Sequence, residues 1–395
     1  MPSKPSIRAG IVGSGFSANL HIEAIRRVAG IDVEMVGVFS PTPDNARRFA
    51  AAHDIEAVGS LEALLDSSLD VVHVCAPPAA HEALAVAALE RGVNAIVEKP
   101  LTGWFGDGRP DFDARAADMA EARRGAVDSV RRMLAAEAAS SARILYAENW
   151  VYAPAIQKER EVIEKTGAQV LWLHSEEAHS GSHSPTYGFW RSVGGGALIG
   201  KGCHPLTGAL YLKRVEGRAR DGRPIRPAKV GGRTHALTRL PGYRDQGHLR
   251  TDYFDTEDFS AMHVVFDDGT VADIFASDVV MGGIHNWLEV VANNHRTLCN
   301  INPNTAMLTY NPVEAQFDDI YVVEKSGTKQ GWAFTSPDED HFTGFPQEIA
   351  AFYRSVVDGT PPESDSSLAA DSISTIYSAY ESARRGGAEV DVEQL

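Results

Sequence analysis

Cysteine is scarce: the 395-residue chain holds three, Cys75, Cys203 and Cys299. An odd number at wide spacing suggests neither a disulfide framework nor a zinc knuckle. Long apolar runs are missing too. None approaches the roughly 18 residues of a membrane span, and the polar opening at residues 1–6 lacks the apolar stretch of a secretory signal. Positive charge is in deficit: 37 Lys+Arg against 53 Asp+Glu give a formal net charge of −16. That balance argues against nucleic acid or an anionic membrane as the main partner. The rest of the composition is ordinary, with 44% hydrophobic and 23% charged residues, and a chain this long buries a core without staples or metals. At about 150 residues per domain, two domains are expected, in a soluble, cytoplasmic enzyme.

The first half alternates strand and helix. Residues 7–12 read as a short apolar strand, Gly13-Ser14-Gly15-Phe16-Ser17-Ala18 leads into a helical pattern over 19–28, and 33–39 is a second strand. Pro43-Asp44 opens another helix. Residues 71–75 are nearly all apolar, as for a parallel strand buried on both faces, and Pro77-Pro78 stops them. An Ala/Leu-rich helix at 81–91, capped by Gly92, precedes a strand at 94–97. Strands alternating with such helices imply right-handed crossovers and a doubly wound parallel sheet. The expected organisation is a dinucleotide-binding domain over residues 1–150 and a second domain over 151–395, whose last helices pack back on the first.

The glycine pattern has a physical basis. Gly13 allows the tight turn, Gly15 lets the backbone approach a pyrophosphate, and Ala18 is small enough for close helix–strand packing. The free N–H groups at the helix start favour phosphate, and the pattern stands between first strand and first helix as dinucleotide binding requires. The acidic residue usual at the end of the second strand is absent. Ser40 stands there, able to bond a ribose without repelling a 2′-phosphate, while Arg47 and Arg48 on the next helix read as solvent-facing. NAD is favoured because no basic residue immediately follows Ser40, and NADP stays open.

From residue 168 the texture changes. Residues 170–173, 261–266, 271–276, 286–292 and 297–301 look like strands, with Asp268-Gly269 turning between the second and third. No long helix intervenes, so a mixed or antiparallel sheet is expected. Residues 217–250, rich in Gly, Pro and Arg, read as a long loop. Helical spacing recurs at 347–357 and 368–383, and 114–139 reads as a helix with a solvated, charged face. The fold class is therefore α/β: a Rossmann sheet followed by an α+β domain.

Four ordered motifs give the chain its resemblance. Gly13-Ser14-Gly15, Ala76-Pro77-Pro78 with His81, Glu98-Lys99-Pro100, and Gly194-Gly195-Gly196-Ala197-Leu198 leading to His204 together resemble the Gfo/Idh/MocA oxidoreductases along nearly the whole length. The resemblance implies a substrate that is a sugar, cyclitol or related polyol, and a C-terminal sheet whose open face builds homodimers or homotetramers. It also implies Lys99 and His204 as catalytic residues. For the cofactor it implies Gly13, Gly15, Phe16, Ser17, Ser40, Pro77, Pro78, His81, Glu98 and Lys99. An ammonium at the end of a parallel strand can polarise an alcohol oxygen or relay a proton, with Glu98 tuning its charge. Pro100 fixes the turn, through a cis bond in many relatives.

Relatives commonly carry an Asp four residues before the His and another three after it. Here Gly200 and Thr207 stand at those places. Three histidines and two glutamates lie between His174 and His183, but their spacing matches no familiar ligand motif, so no metal is expected. His179 and His183, with Tyr152, Trp190, Lys201 and His204, are instead expected to line a polar substrate pocket, and Cys203 reads as a buried small residue. Two activities follow. The first is an NAD(P)-dependent dehydrogenase or reductase. The second is a redox-neutral, NAD-recycling glycosidase acting on an anionic glycoside such as a sulfoquinovoside, with Lys201 and Arg191 holding the anion. A non-catalytic NAD-binding sensor is a third, disfavoured by the retained Lys99 and His204.

Overall fold

The computed structural model describes residues 4–109, 111–302 and 306–395. Strands β1 (Ser6–Val12), β2 (Asp32–Phe39), β3 (Val71–Val74), β4 (Asn94–Glu98) and β5 (Ile144–Ala147) form a parallel sheet in the order β2-β1-β3-β4-β5. The order reverses between β1 and β3, so their C-terminal ends open on the crevice where such sheets gather ligands. β3 and β5 are wholly buried, which explains their nearly continuous apolar texture. The helix after β1 spans Phe16–Arg26 and turns Ala18, Ile22 and Ile25 inward.

The second sheet is mixed. It contains β6 (Val170–Ala178), β7 (Pro227–His235), β8 (Phe259–Phe266), β9 (Val271–Ser277), β10 (His285–Ala292) and β11 (Arg296–Asn302). A hairpin of β12 (Leu308–Asn311) and β13 (Gly331–Phe334) stands apart, and β14 (Val390–Asp391) closes the large sheet at its edge. The order is β11-β10-β6-β9-β8-β7-β14, with β6 and β9 parallel and the other neighbours antiparallel. The β8–β9 turn is tight: Gly269 has φ +82° and its N–H donates to Phe266 O at 3.0 Å. The helix Phe345–Asp358 packs on Phe16–Arg26, and Ser366–Arg384 packs on Met119–Ala138 and on β7. Among the described residues no helix is long and apolar enough to cross a membrane.

Two sequence expectations are corrected. Residues 217–250 are not one loop: they begin inside the helix Cys203–Asp221 and include β7. That helix is buried continuously from Cys203 to Gly217, so it shows no polar face from which to read a period. In β7 the residues that look loop-like serve packing. A Cβ on Gly232 would stand 2.3 Å from Ala379 O, so the glycine lets a helix backbone lie directly against the strand. Finally, the helix expected from 114 begins at Met119, because the Asp118 carboxylate caps it by accepting from Ala120 N.

Candidate active site

The turn after β1 is built for close approach. Gly13 has φ +109°, and a Cβ there would lie 2.3 Å from Cys75 O. Gly15 is extended, and a Cβ on it would meet nothing within 4 Å. The following helix has no side-chain cap and no acidic residue in its first turn, so its first N–H groups point free into that open space. Phe16 is 70% exposed, Ser17 half-buried, and Ser40 half-buried just past β2. Pro77 is exposed on the neighbouring loop with Pro78 behind it. Arg47 and Arg48 are exposed and bonded within their own helix to Asp44 and Asn45. These residues fit a dinucleotide: a cradle that a side chain would fill, with unpaired N–H donors at a helix start.

Two expected cofactor contacts face inward instead. His81 is fully buried, its ring nitrogens each 2.9 Å from the carbonyls of Pro100 and Ala76, so it ties two strand-end loops together from behind. Glu98 is 8% exposed; Oε1 meets His21 Nε2 at 3.0 Å, and Oε2 accepts from Lys99 N at 3.0 Å. His21 Nδ1 lies 2.8 Å from His73 Nδ1, and His73 Nε2 lies 2.9 Å from Tyr353 Oη. Burial works to lower the His21 pKa, but Cys75 and Glu98 hold it well above the usual value. Burial and His21 push His73 well below. One charge state satisfies all four groups: an imidazolium at His21 donates to Glu98 and to neutral His73, which donates to Tyr353.

Lys99 precedes a cis peptide to Pro100 and donates from Nζ to Gly200 O at 3.0 Å. Burial works to lower its pKa, yet Cys203, Glu177, Glu98 and Glu148 around it hold it above the ordinary value. The group is therefore a fixed ammonium. Two of these carboxylates bracket His204: its Nδ1 lies 2.5 Å from Glu148 Oε1, and its Nε2 lies 4.0 Å from Glu177 Oε2. Glu148 closes β5 and Glu177 lies on β6, so two sheets supply the carboxylates. Glu177 lies in the His174–His183 stretch that the sequence singles out, whereas Glu148, a lone acid after an apolar strand, carries no signal of its own.

Gly200 acquires a physical meaning here. A Cβ on it would stand 2.3 Å from the Tyr187 hydroxyl and 2.7 Å from its ring. Tyr187 thus occupies the space beside the helix turn that a side chain at 200 would need. The glycine run before it is anchored by Glu257, whose carboxylate accepts from Gly196 N, Leu198 N and Tyr380 Oη at 3.1, 2.8 and 2.8 Å. Burial pushes that carboxyl up to about 7 against those three donors.

The expected substrate pocket is only partly assembled. His179 is half-buried near Lys99 and Lys201; burial and these cations hold it far below its usual value, and its Nδ1 accepts from Gly181 N at 3.0 Å. His183 is exposed at the rim, near Lys325 and Arg250. Three other expectations are corrected. Tyr152 is core: its hydroxyl is spent on Ser364 N and Oγ at 3.2 and 3.1 Å. Trp190 packs on Tyr380 and donates to Trp104 O at 2.8 Å. Lys201 is 2% exposed and paired with buried Asp278, so its charge is already neutralised. Arg191 is exposed beside Phe189. Glu148, Cys203 and His204 offer ligand atoms within 4.8 Å of one another. With Glu148 and His204 bonded to each other beside a Lys99 ammonium, the group is suited to protons rather than a cation.

Inositol 2-dehydrogenase 4 of Saccharopolyspora erythraea is 33% identical over 150 residues, 37% of this chain and 42% of that protein. A dTDP-3,4-didehydro-2,6-dideoxy-alpha-D-glucose 3-reductase of Streptomyces antibioticus is 42% identical over 103 residues, 26% of this chain and 31% of that one. The chain thus spans less than half the length of either. Over the whole molecule the fold matches GenD2 from gentamicin A biosynthesis, solved with NAD, at TM-score 0.77 and 21% identity, covering 98% of this chain and 97% of that one. Residues 7–110 match the family described as "Oxidoreductase family, NAD-binding Rossmann fold".

Proposed function

We propose that this chain is an NAD-dependent oxidoreductase acting on a hydroxyl-bearing carbon of a sugar or polyol. The observation that carries the reading is the Lys99 ammonium at the strand-end crevice, together with a histidine whose far nitrogen is locked by a buried carboxylate. When bound, the nicotinamide takes up or gives back a hydride. Gly13, Gly15, Phe16 and Ser17 would hold the pyrophosphate side, Ser40 the adenosine ribose, and Pro77 and Pro78 the neighbouring wall. NAD is preferred over NADP because Arg47 and Arg48 are engaged within their own helix.

Lys99 stays protonated, so it donates a hydrogen bond to the substrate oxygen and stabilises negative charge developing there. His204 does the proton work. With Nδ1–H given to Glu148, Nε2 carries the free lone pair and accepts the hydroxyl proton during oxidation, or returns it during reduction. His179 and His183 line the approach. The relatives' own substrates, an inositol and a nucleotide-linked deoxysugar by their names, support the sugar or polyol class.

A redox-neutral glycosidase is the second reading. It is favoured by one observation: Glu148 and Glu177 each keep a buried carboxylate oxygen without a hydrogen-bond partner, more acid–base capacity than one alcohol proton needs. The anionic-glycoside version loses one of its two cations, since Lys201 is spent on Asp278, and keeps the exposed Arg191. We further infer that the chain works as a homodimer or homotetramer through the open face of the mixed sheet, where Trp172, His174, Trp287 and Phe275 form an aromatic cluster. A monomer in analytical ultracentrifugation overturns that inference.

The test incubates the protein with NAD, free sugars, cyclitols and a panel of nitrophenyl glycosides, following reduced nicotinamide and nitrophenol together. Reduced cofactor accumulating with substrate oxidation supports the dehydrogenase. Repeated nitrophenol release without net reduction supports the glycosidase. Lys99→Ala is expected to lower either turnover by about 1,000-fold with an unchanged denaturation midpoint. Near-normal turnover in that variant overturns both readings.

A further inference from the structure

Oxidation leaves a proton on His204, and the site must pass it on before the next turnover. Lys99 offers no vacancy for it, because the surrounding acidic groups hold it protonated. Glu148 is the partner of the wrong nitrogen: it is bound to Nδ1, whereas the substrate proton arrives at Nε2. The group that Nε2 does face is Glu177.

Glu177 is placed there by strand register. On β6 it pairs with Asn286 of β10 and Ala276 of β9, and the two-residue alternation turns it inward with Leu173 and Ser175, while His174 and Glu176 are half-buried on the open face. The residue is 8% exposed, and its Oε2 is buried without any hydrogen-bond partner. An ionised oxygen kept dry and unpaired is costly, so such an atom is either a defect or a vacancy for a proton. Its surroundings favour the second. Lys99 faces it from the end of β4, Glu148 from the end of β5, Lys201 and His204 from the segment after the glycine run, Tyr187 from the loop before it, and Glu324 from the loop between β12 and β13. Burial raises the Glu177 carboxyl above its usual range, against the opposing pull of His204, Lys99 and Lys201.

We propose that Glu177 is the group that exchanges the substrate proton with His204 Nε2. The proposal rests on the oxidoreductase reading. In the oxidative direction the substrate O–H bond breaks and its proton joins the Nε2 lone pair, while the carbon's hydride goes to NAD. The Nε2–H bond then breaks and an O–H bond forms on the Glu177 carboxylate, restoring neutral His204. The 4.0 Å separation closes by a small side-chain rotation or is bridged by one water. Reduction runs the same steps backwards.

Glu177→Gln keeps the shape and removes the proton site. Its kcat with NAD and an accepted polyol is expected to fall by about 100-fold at neutral pH, with KM for NAD unchanged and one ionisation lost from the kcat–pH profile. Glu177→Asp is expected to recover part of the rate and the lost ionisation. A Gln variant within twofold of the parent rate, with a superimposable pH profile, overturns the proposal. A second readout needs no turnover: infrared difference spectra of the unliganded protein between pH 5 and 8. The parent is expected to show a buried carboxyl gaining its proton, and the Gln variant to lose that band. Should the parent show no NAD-dependent turnover, the oxidoreductase reading falls and the infrared band alone decides whether Glu177 holds a proton. Identical spectra from parent and variant overturn it.

Discussion

Two glycine-bearing loops flank the candidate site, and they use glycine for opposite ends. In the loop after β1, a Cβ on Gly15 would meet nothing within 4 Å. In the segment from Gly194 to Gly200, an added Cβ would strike side chains at three glycines, Tyr377 at Gly194, Tyr380 at Gly195 and Tyr187 at Gly200, and the Glu257 backbone at Gly196. The first loop keeps space open for a ligand. The second lets four aromatic or acidic groups close in, so that Lys99 and His204 are held by packed neighbours. A glycine-rich run near an active site is therefore not by itself a phosphate cradle, and what the missing Cβ would touch tells the two apart.

The comparison can be broken or sharpened by substitution. The largest effect is expected from Gly13→Ala, which combines a left-handed backbone with a Cβ 2.3 Å from Cys75 O. Together these cost about 4 kcal/mol, read as a lower midpoint in urea and lost NAD binding. Glu257→Gln comes next. The folded carboxyl titrates at about 7, above its ordinary 4.5, so the folded state holds the proton longer than the unfolded one. Stability from this group is full below about 4.5 and falls as pH rises to about 7. The Gln variant is expected to lose that dependence, so that its stability relative to the parent rises by up to about 3 kcal/mol between pH 4 and pH 8. Parallel stability–pH curves for the two proteins count against the burial argument.

Gly200→Ala is expected to cost about 2 kcal/mol and to slow turnover as well, because the displaced carbonyl is the acceptor of Lys99 Nζ. Adding Tyr187→Phe is expected to restore part of both, since the hydroxyl is the nearest atom. Full stability in the single variant shows that the tyrosine yields readily and that the second loop is less closely packed than described. The smallest effect on the fold comes from Gly15→Ala. Its extended backbone accepts alanine, so stability changes by less than about 1 kcal/mol, while NAD affinity measured by calorimetry falls at least tenfold (about 1.4 kcal/mol). Unchanged NAD affinity separates the open space at Gly15 from the cofactor.

The chemistry-bearing residues differed in how far they could be read. Lys99 and His204 stood out because short motifs surround them. Glu148 did not, as a single acid after an apolar strand, and Glu177 is legible only as one of two glutamates in the His174–His183 stretch; the pairing of β4 with β5 and the placement of β6 bring the two to one histidine. Tyr152, Trp190 and Lys201 have the side-chain types of a polar pocket, yet their polar atoms are satisfied by Ser364, Trp104 and Asp278 in the core. His21 and His73, which carry no motif of their own, support Glu98 from behind.

The sequence by itself determined the parallel sheet, the phosphate turn and the lysine at the strand end, because these depend on local periodicity and on residues adjacent in the chain. It could not determine β7 or the buried helix Cys203–Asp221, whose residues follow packing on both sides rather than a polar–apolar rhythm. Only the tertiary structure decided which carboxylates bracket His204, which lysine is free, and why position 200 carries no side chain. Those are contacts between residues tens to hundreds of positions apart, and no local pattern encodes the distance between them.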